Sequence, residues 1–247
     1  VVFDNRAGAH GSIACEHVAR AAPDGSTLLL GYVATHGMHP AMQSLGYDPV
    51  VDFEPVGLVG YSPTVLVAGP TVRAGTVEQL LAELRTHPGT YASAGEGTAP
   101  HFAAELFKLE TGVNIAGLTF GGSSAALGDV VAGRTQLMFA SLFTAYPWIA
   151  GGRVRALALA GPGRVDVLPA VPTLHEAGID GVDVTQWYGL FAPAKTPAAV
   201  VDAANSALTA ILTRADASGL SLARGITVEP GPPDEFGRLV DRELTKW

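Results

Sequence analysis

Between residues 91 and 101 the sequence reads Tyr91-Ala92-Ser93-Ala94-Gly95-Glu96-Gly97-Thr98-Ala99-Pro100-His101. It has the form of a strand end passing through Gly-x-Gly into a helix. Glycines let a backbone approach a ligand closely, and the first turn of a helix offers unpaired N–H groups at the positive end of its dipole. Ser93 and Thr98 add hydroxyls, and His101 adds a ring nitrogen. The set suits a carboxylate or a phosphate; without a ligand it is a strand–helix turn with Thr98 as N-cap. The alternative is a small-molecule hydrolase or transferase in which Ser93 or Ser123 pairs with His101.

Other chemistries fail on spacing. A dinucleotide fingerprint needs its third glycine where Pro100 stands, and none of the three lysines follows a glycine as a phosphate loop requires. A serine-hydrolase elbow needs glycine at position 91, which is Tyr91.

A second strand–glycine–hydroxyl–helix pattern, Phe120-Gly121-Gly122-Ser123-Ser124, makes Gly122 and Ser123 candidates, with Ser123 able to cap a helix through Val131. A third follows an apolar run at Tyr32-Val33-Ala34-Thr35-His36-Gly37-Met38-His39 and offers Thr35 and His36 as polar lining. His36-x-x-His39 has no nearby carboxylate or thiol to complete a metal site, so no metal is expected. A fourth, Asn5-Arg6-Ala7-Gly8-Ala9-His10-Gly11-Ser12, offers Arg6, whose ordinary partner would be Asp4. The single cysteine, Cys15, excludes an intrachain disulfide and any multi-cysteine metal site, and reads as a small buried hydrophobe. No cofactor motif is present.

The elements that must position these residues alternate between short apolar strands and helix-period segments, which predicts an α/β fold with mostly parallel sheets and helices on both faces. Strands are expected at Val1–Phe3, Thr27–Gly31, Pro55–Val59, Val65–Ala68, Ile115–Leu118, Gln136–Phe139, Val154–Ala160, Trp187–Ala192 and Ile226–Val228. Thr76-Val77-Glu78-Gln79 reads as a capping box, and Thr98 with Pro100 opens a helix whose apolar stripe is Phe102, Leu106 and Leu109. Two Pro/Gly-rich crossings, Ala68-Gly69-Pro70 and Ala192 through Pro197, suggest a discontinuous lobe of residues 1–68 and 190–247 with an inserted lobe of residues 69–189. Two lobes joined by two crossings make a ligand cleft the expected site.

Composition narrows the partner. The chain has 247 residues, 48% of them hydrophobic, so it can bury a substantial core. Its 15 Lys+Arg against 23 Asp+Glu leave a net charge of −8, which disfavours nucleic acid. The lysines are Lys108, Lys195 and Lys246, so a bound anion must be held largely without ammonium groups. No apolar run approaches the roughly 18 residues that span a bilayer.

Six segments, in order, resemble the receptors of tripartite tricarboxylate transporters, the Bordetella uptake gene family. They are Asp4 to Gly11, Ala22 to Leu29, Tyr47 to Phe53, Ala92 to Thr98, Leu168 to Gly178 and Trp187 to Pro193. The resemblance spans essentially the whole chain. It implies a two-lobed, type II-like periplasmic-binding-protein (Venus flytrap) architecture and a non-enzymatic, extracytoplasmic solute-binding protein, periplasmic or secreted and monomeric. Such a receptor captures a small organic carboxylate and presents it to the membrane subunits of the transporter; a sensor of the same fold is a variant of this reading. Carried over by position, the lining comprises Thr35, His36, Ser93, Gly95, Gly97, Thr98, His101, Gly122, Ser123 and Ser141. Ala140-Ser141 stands where the family often has an acidic or amide residue, and Ala99-Pro100 where it usually has hydroxyls. The family's mature chain opens with a further strand and a Pro/Gly-rich loop, to which nothing before Val1 corresponds.

Overall fold

The computed structural model describes residues 1–6, 8–214, 219 and 225–247. In chain order the elements are α1 (Ser12–Ala19), β1 (Leu29–Tyr32), a π-helical turn (Ala34–Met38) leading into α2 (His39–Met42), β2 (Phe53–Ala68), α3 (Val77–Thr86), β3 (Gly89–Ser93), α4 (Ala99–Thr111) and β4 (Ile115–Thr119). There follow α5 (Ser123–Val131), β5 (Leu137–Ser141), α6 (Leu142–Ala150), β6 (Arg155–Ala160), β7 (Thr185–Pro193), α7 (Ala198–Leu212), β8 (Thr227–Val228) and α8 (Pro233–Lys246).

The chain divides into two compact units, and the crossings through β2 and β7 lie inside strands. β2 passes from the first unit to the second between Tyr61 and Ser62, and β7 returns between Gln186 and Trp187. These points lie several residues before the Ala68-Gly69-Pro70 and Ala192–Pro197 segments. Pro63 sits just past the first crossing, within β2. It has no N–H for a ladder, and the pairing of β2 changes there: Gly60 and Tyr61 pair with β8, whereas residues from Thr64 onward pair with β5 and β6.

In the first unit β7 lies between β1 and β2, with β1 antiparallel to it from Leu29↔Phe191 to Tyr32↔Tyr188. Aromatic packing forms its centre. Phe236 of α8 meets Trp187 edge-on at 5.6 Å and Phe191 at 4.8 Å, and its ring fills the space where Gly189 has no Cβ. In the second unit the order is β2-β5-β3-β4, with β6 also paired to β2. Val65, Val67, Ala92, Met138, Ala140 and Leu159 of these strands pack with Leu127 and Val130 of α5, all with 1% or less of their surface exposed.

The sheets are mixed, which corrects the expectation of mostly parallel strands. β3 runs parallel to β4 and β5, whereas β2 is antiparallel to β5, β6 and β8, and β1 to β7. An unbroken apolar run signals burial on both faces and carries no information on strand direction. Val1–Phe3 forms no strand: its residues pair with no described strand and are exposed. The strands expected at Pro55–Val59 and Val65–Ala68 are one 16-residue strand, β2.

α4 is also turned from its expected stripe. It buries Ala99, Pro100, Ala103, Ala104 and Phe107, while Leu109 is 76% exposed. Small side chains at 103 and 104 let the helix approach the sheet closely, and Phe107 fills the remaining space against Phe139 of β5, ring to ring at 5.5 Å.

Candidate functional site

In the second unit β5, β3 and β4 are parallel neighbours, so their C-terminal ends share one sheet edge, where each strand turns into a helix. Such an edge is where α/β sheets take ligands. After Ser93 the chain passes through Gly95 at φ 128° and Gly97 at φ 77°, conformations that L side chains rarely adopt. The buried Ser93 Oγ accepts the Gly95 N–H at 3.2 Å. Thr98 is the N-cap, as its spacing predicts: its hydroxyl donates to the Gly95 carbonyl at 2.8 Å and accepts the His101 N–H at 3.4 Å. The Gly97 N–H donates to His101 Nδ1 at 3.4 Å. Among the described residues no acceptor takes the amides of Glu96 or Ala99, and Pro100 has none to offer.

The β4–α5 turn is tied to this one by the Phe120 N–H, which donates to the Ser93 carbonyl at 2.9 Å. Gly122, not Ser123, is the N-cap; it sits at φ 135°, and Ser123 is the first helical residue. A glycine cap supplies no side-chain acceptor, so the amides of Ser123, Ser124 and Ala125 open α5 without a described protein acceptor. At the third turn Ser141 is the N-cap of α6, and its hydroxyl lies 3.0 Å from that of Ser62. Ser62 Oγ also accepts the Phe143 N–H at 3.3 Å. Beside it, Thr64 pairs with Ser141 across the β2–β5 ladder, and its hydroxyl accepts from Gln186 Nε2 at 3.2 Å.

Ser62, Thr64 and Gln186 escaped the sequence reading. Their signal is polarity at positions where β2 and β7 are otherwise apolar, reinforced by the in-strand Pro63. No lysine or arginine belongs to any of the three turns. The edge therefore presents positive potential through oriented N–H dipoles, which suits a small anion such as a carboxylate.

Thr35 and His36 belong to the first unit, where the π-helical turn buries both. Thr35 Oγ1 accepts the Tyr32 N–H at 3.2 Å and donates to the Tyr32 carbonyl at 3.0 Å. With its proton committed, it accepts from His36 Nδ1 at 2.9 Å, which assigns the Nδ1–H tautomer. The Thr35 carbonyl accepts from Tyr47 Oη at 2.7 Å. The His36 ring stacks on Phe191 at 4.0 Å and meets Phe53 edge-on at 4.9 Å, and burial pulls its pKa down to about 3. Its Nε2 lone pair has no hydrogen-bond partner among the described residues. No metal-competent group of three His, Cys, Asp or Glu occurs among the described residues. Arg6 forms an exposed pair with Asp4 at 2.9 Å.

The sequence matches the family described as tripartite tricarboxylate transporter family receptor over residues 1–247. The chain belongs to this family. It is 36% identical to a UPF0065 protein from the tcbD–tcbE intergenic region of Pseudomonas sp. strain P51, covering all of this chain and 74% of the relative. It is 31% identical to BugT of Bordetella pertussis, again over all of this chain and 77% of BugT. Among solved structures it superposes at a TM-score of 0.93 on Rhodopseudomonas palustris Rpa4515, solved with adipate, at 31% identity over 100% of this chain and 83% of that one. MatC (Rpa3494) from the same organism, solved with malate, superposes at 0.89 with 33% identity, over 97% and 84% of the two chains.

The receptor thus has the periplasmic-binding-protein fold, and its relatives bind solutes instead of transforming them. The hydrolase reading gains nothing from the geometry, because neither Ser93 nor Ser123 is hydrogen-bonded to His101 and the Nδ1 of that histidine is occupied by a backbone amide. No described helix is long and apolar enough to cross a membrane.

Proposed function

We propose that this receptor captures a small organic carboxylate at the strand-end turns of its second unit and presents it, as a periplasmic monomer, to the membrane subunits of a tripartite transporter. The observation that carries the reading is the meeting of three helix N-termini on one sheet edge, with open backbone amides and no cationic side chain. Gly95, Gly97 and Gly122 keep backbone close to the ligand, Ser93, Thr98, Ser123 and Ser141 supply hydroxyls, and His101 lies at the rim of the first turn. Thr35 and His36 hold the turn after β1 in shape within the first unit. The adipate and malate found in two relatives support a carboxylate as the ligand.

The test is calorimetry against a panel of di- and tricarboxylates, aromatic acids and amino acids. The expected result is saturable binding of at least one carboxylate, weakened but not abolished by Ser93→Ala. Heat from none of the panel contradicts the proposal, and turnover of a ligand that Ser93→Ala abolishes would favour an enzyme.

A further inference from the structure

The strand ends of the second unit are polar on one side of the sheet and apolar on the other. Tyr91 turns toward α4, where its hydroxyl donates to Glu105 at 2.6 Å, and strand alternation puts Ser93 on the same side. Ala92 and Ala94 turn the opposite way and join one apolar cluster with Met138 and Ala140 of β5, Leu127 of α5 and Leu142 of α6. Phe120, the residue after β4, packs against this cluster from the next turn and stays partly exposed. Phe143, in the first turn of α6, keeps 40% of its surface exposed although Leu142 beside it is fully buried. The Phe143 N–H donates to Ser62 Oγ at 3.3 Å, so the ring is carried by an anchored helix start and not by a loose loop. Ala140 brings no polar side chain to its strand end, and the one carboxylate of the three turns, Glu96, is exposed.

We propose that this apolar side selects the body of the ligand, with Phe143 as a specificity-determining residue: the carboxyl group meets the open amides of α4 and α5, and an unsubstituted hydrocarbon body, alkyl or aromatic, lies against Ala94, Phe120 and Phe143. The inference rests on the carboxylate reading above. Hydrocarbon laid on a half-exposed ring gains in proportion to the apolar area both remove from water. A hydroxyl or ammonium on the same body loses its water against these rings, and burying a polar group without a partner is costly. An ammonium costs most, because no buried carboxylate stands at the turns to pair with it. The donors of the turns therefore recognise the charge that carboxylates share, and the aromatic side separates one carboxylate from another.

Calorimetry with acids matched in skeleton tests this: succinate against malate and aspartate, adipate against α-aminoadipate, with benzoate as an aromatic member. In each matched set that binds, the unsubstituted acid should bind at least about fivefold more tightly than its hydroxy or amino counterpart. Phe143→Ser should lower the affinity of the tightest-binding unsubstituted acid about tenfold, and Phe143→Leu, which keeps apolar surface at the position, should recover most of that loss. A hydroxy or amino acid that binds as tightly as its unsubstituted partner, or binding by substituted acids alone, overturns the proposal while leaving the carboxylate reading intact. So does an affinity that Phe143→Ser leaves unchanged, or a loss that Phe143→Leu does not recover. No heat from any carboxylate overturns both.

Discussion

The turn after β1 in the first unit and the turn after β3 in the second start from similar material. Each is a strand end followed by hydroxyl, glycine and histidine residues, and each reads in sequence as a ligand-lining loop. In the first turn the polarity is spent internally. Thr35 uses its hydroxyl on Tyr32 and His36 and its carbonyl on Tyr47, and the histidine is sealed among aromatic rings. In the second, which carries two glycines with positive φ, the Thr98 N–H closes onto the Gly95 carbonyl at 3.4 Å while the amides of Glu96 and Ala99 stay open at the mouth of a helix. On the proposed reading, hydroxyl and histidine content alone does not mark a binding turn. What marks it is backbone geometry that leaves donors unused.

Substitutions at matched positions break this comparison most strongly. Replacing His36 with Ala removes a buried ring stacked on Phe191 and should cost about 3 kcal/mol of stability, read by chemical denaturation, with carboxylate affinity of the folded protein little changed. Gly97→Val forces a β-branched residue into a positive-φ turn and should lower carboxylate affinity by about ten- to a hundredfold in calorimetry, since such strain costs about 1–3 kcal/mol. A large affinity loss in the first variant with none in the second would reverse the assignment of the two turns.

Acid stability sharpens the contrast. Folded His36 resists protonation down to about pH 3, whereas the unfolded chain takes up that proton near its ordinary value of 6.5. Between these limits the unfolded state binds more protons. This contribution to stability is therefore complete above pH 6.5 and falls by up to about 1.4 kcal/mol per pH unit below it. Denaturation curves from pH 7 to pH 4 should show that slope, and His36→Phe should flatten it. The smallest expected effect is that of Ser93→Ala, which removes one hydroxyl acceptor from Gly95 and should weaken carboxylate binding by about fivefold, the equivalent of one modest hydrogen bond.

Local signals were legible in the sequence. Thr76 and Thr98 cap their helices as their spacing predicts, because an N-cap is decided within four residues. The glycine turns at 95, 97 and 122 were legible for the same reason. Features set by distant neighbours were hidden. The Ser62–Ser141 contact joins residues 79 positions apart and the Gln186–Thr64 contact 122, so no window of sequence contains either. The buried face of α4 was misread because Phe102, Leu106 and Leu109 form the more hydrophobic stripe, yet packing on the sheet selects the face with Ala103, Ala104 and Phe107. The burial of His36 was hidden because it depends on Phe191, far along the chain.

Amide chemical shifts of the labelled receptor during titration with a carboxylate that binds in calorimetry address the location of the site most directly. The largest changes should fall on Glu96, Ala99, Ser123 and Ser124, the open amides at the starts of α4 and α5, with the Thr35 and His36 amides following only weakly. Saturable binding whose largest changes lie away from both turns would contradict the account.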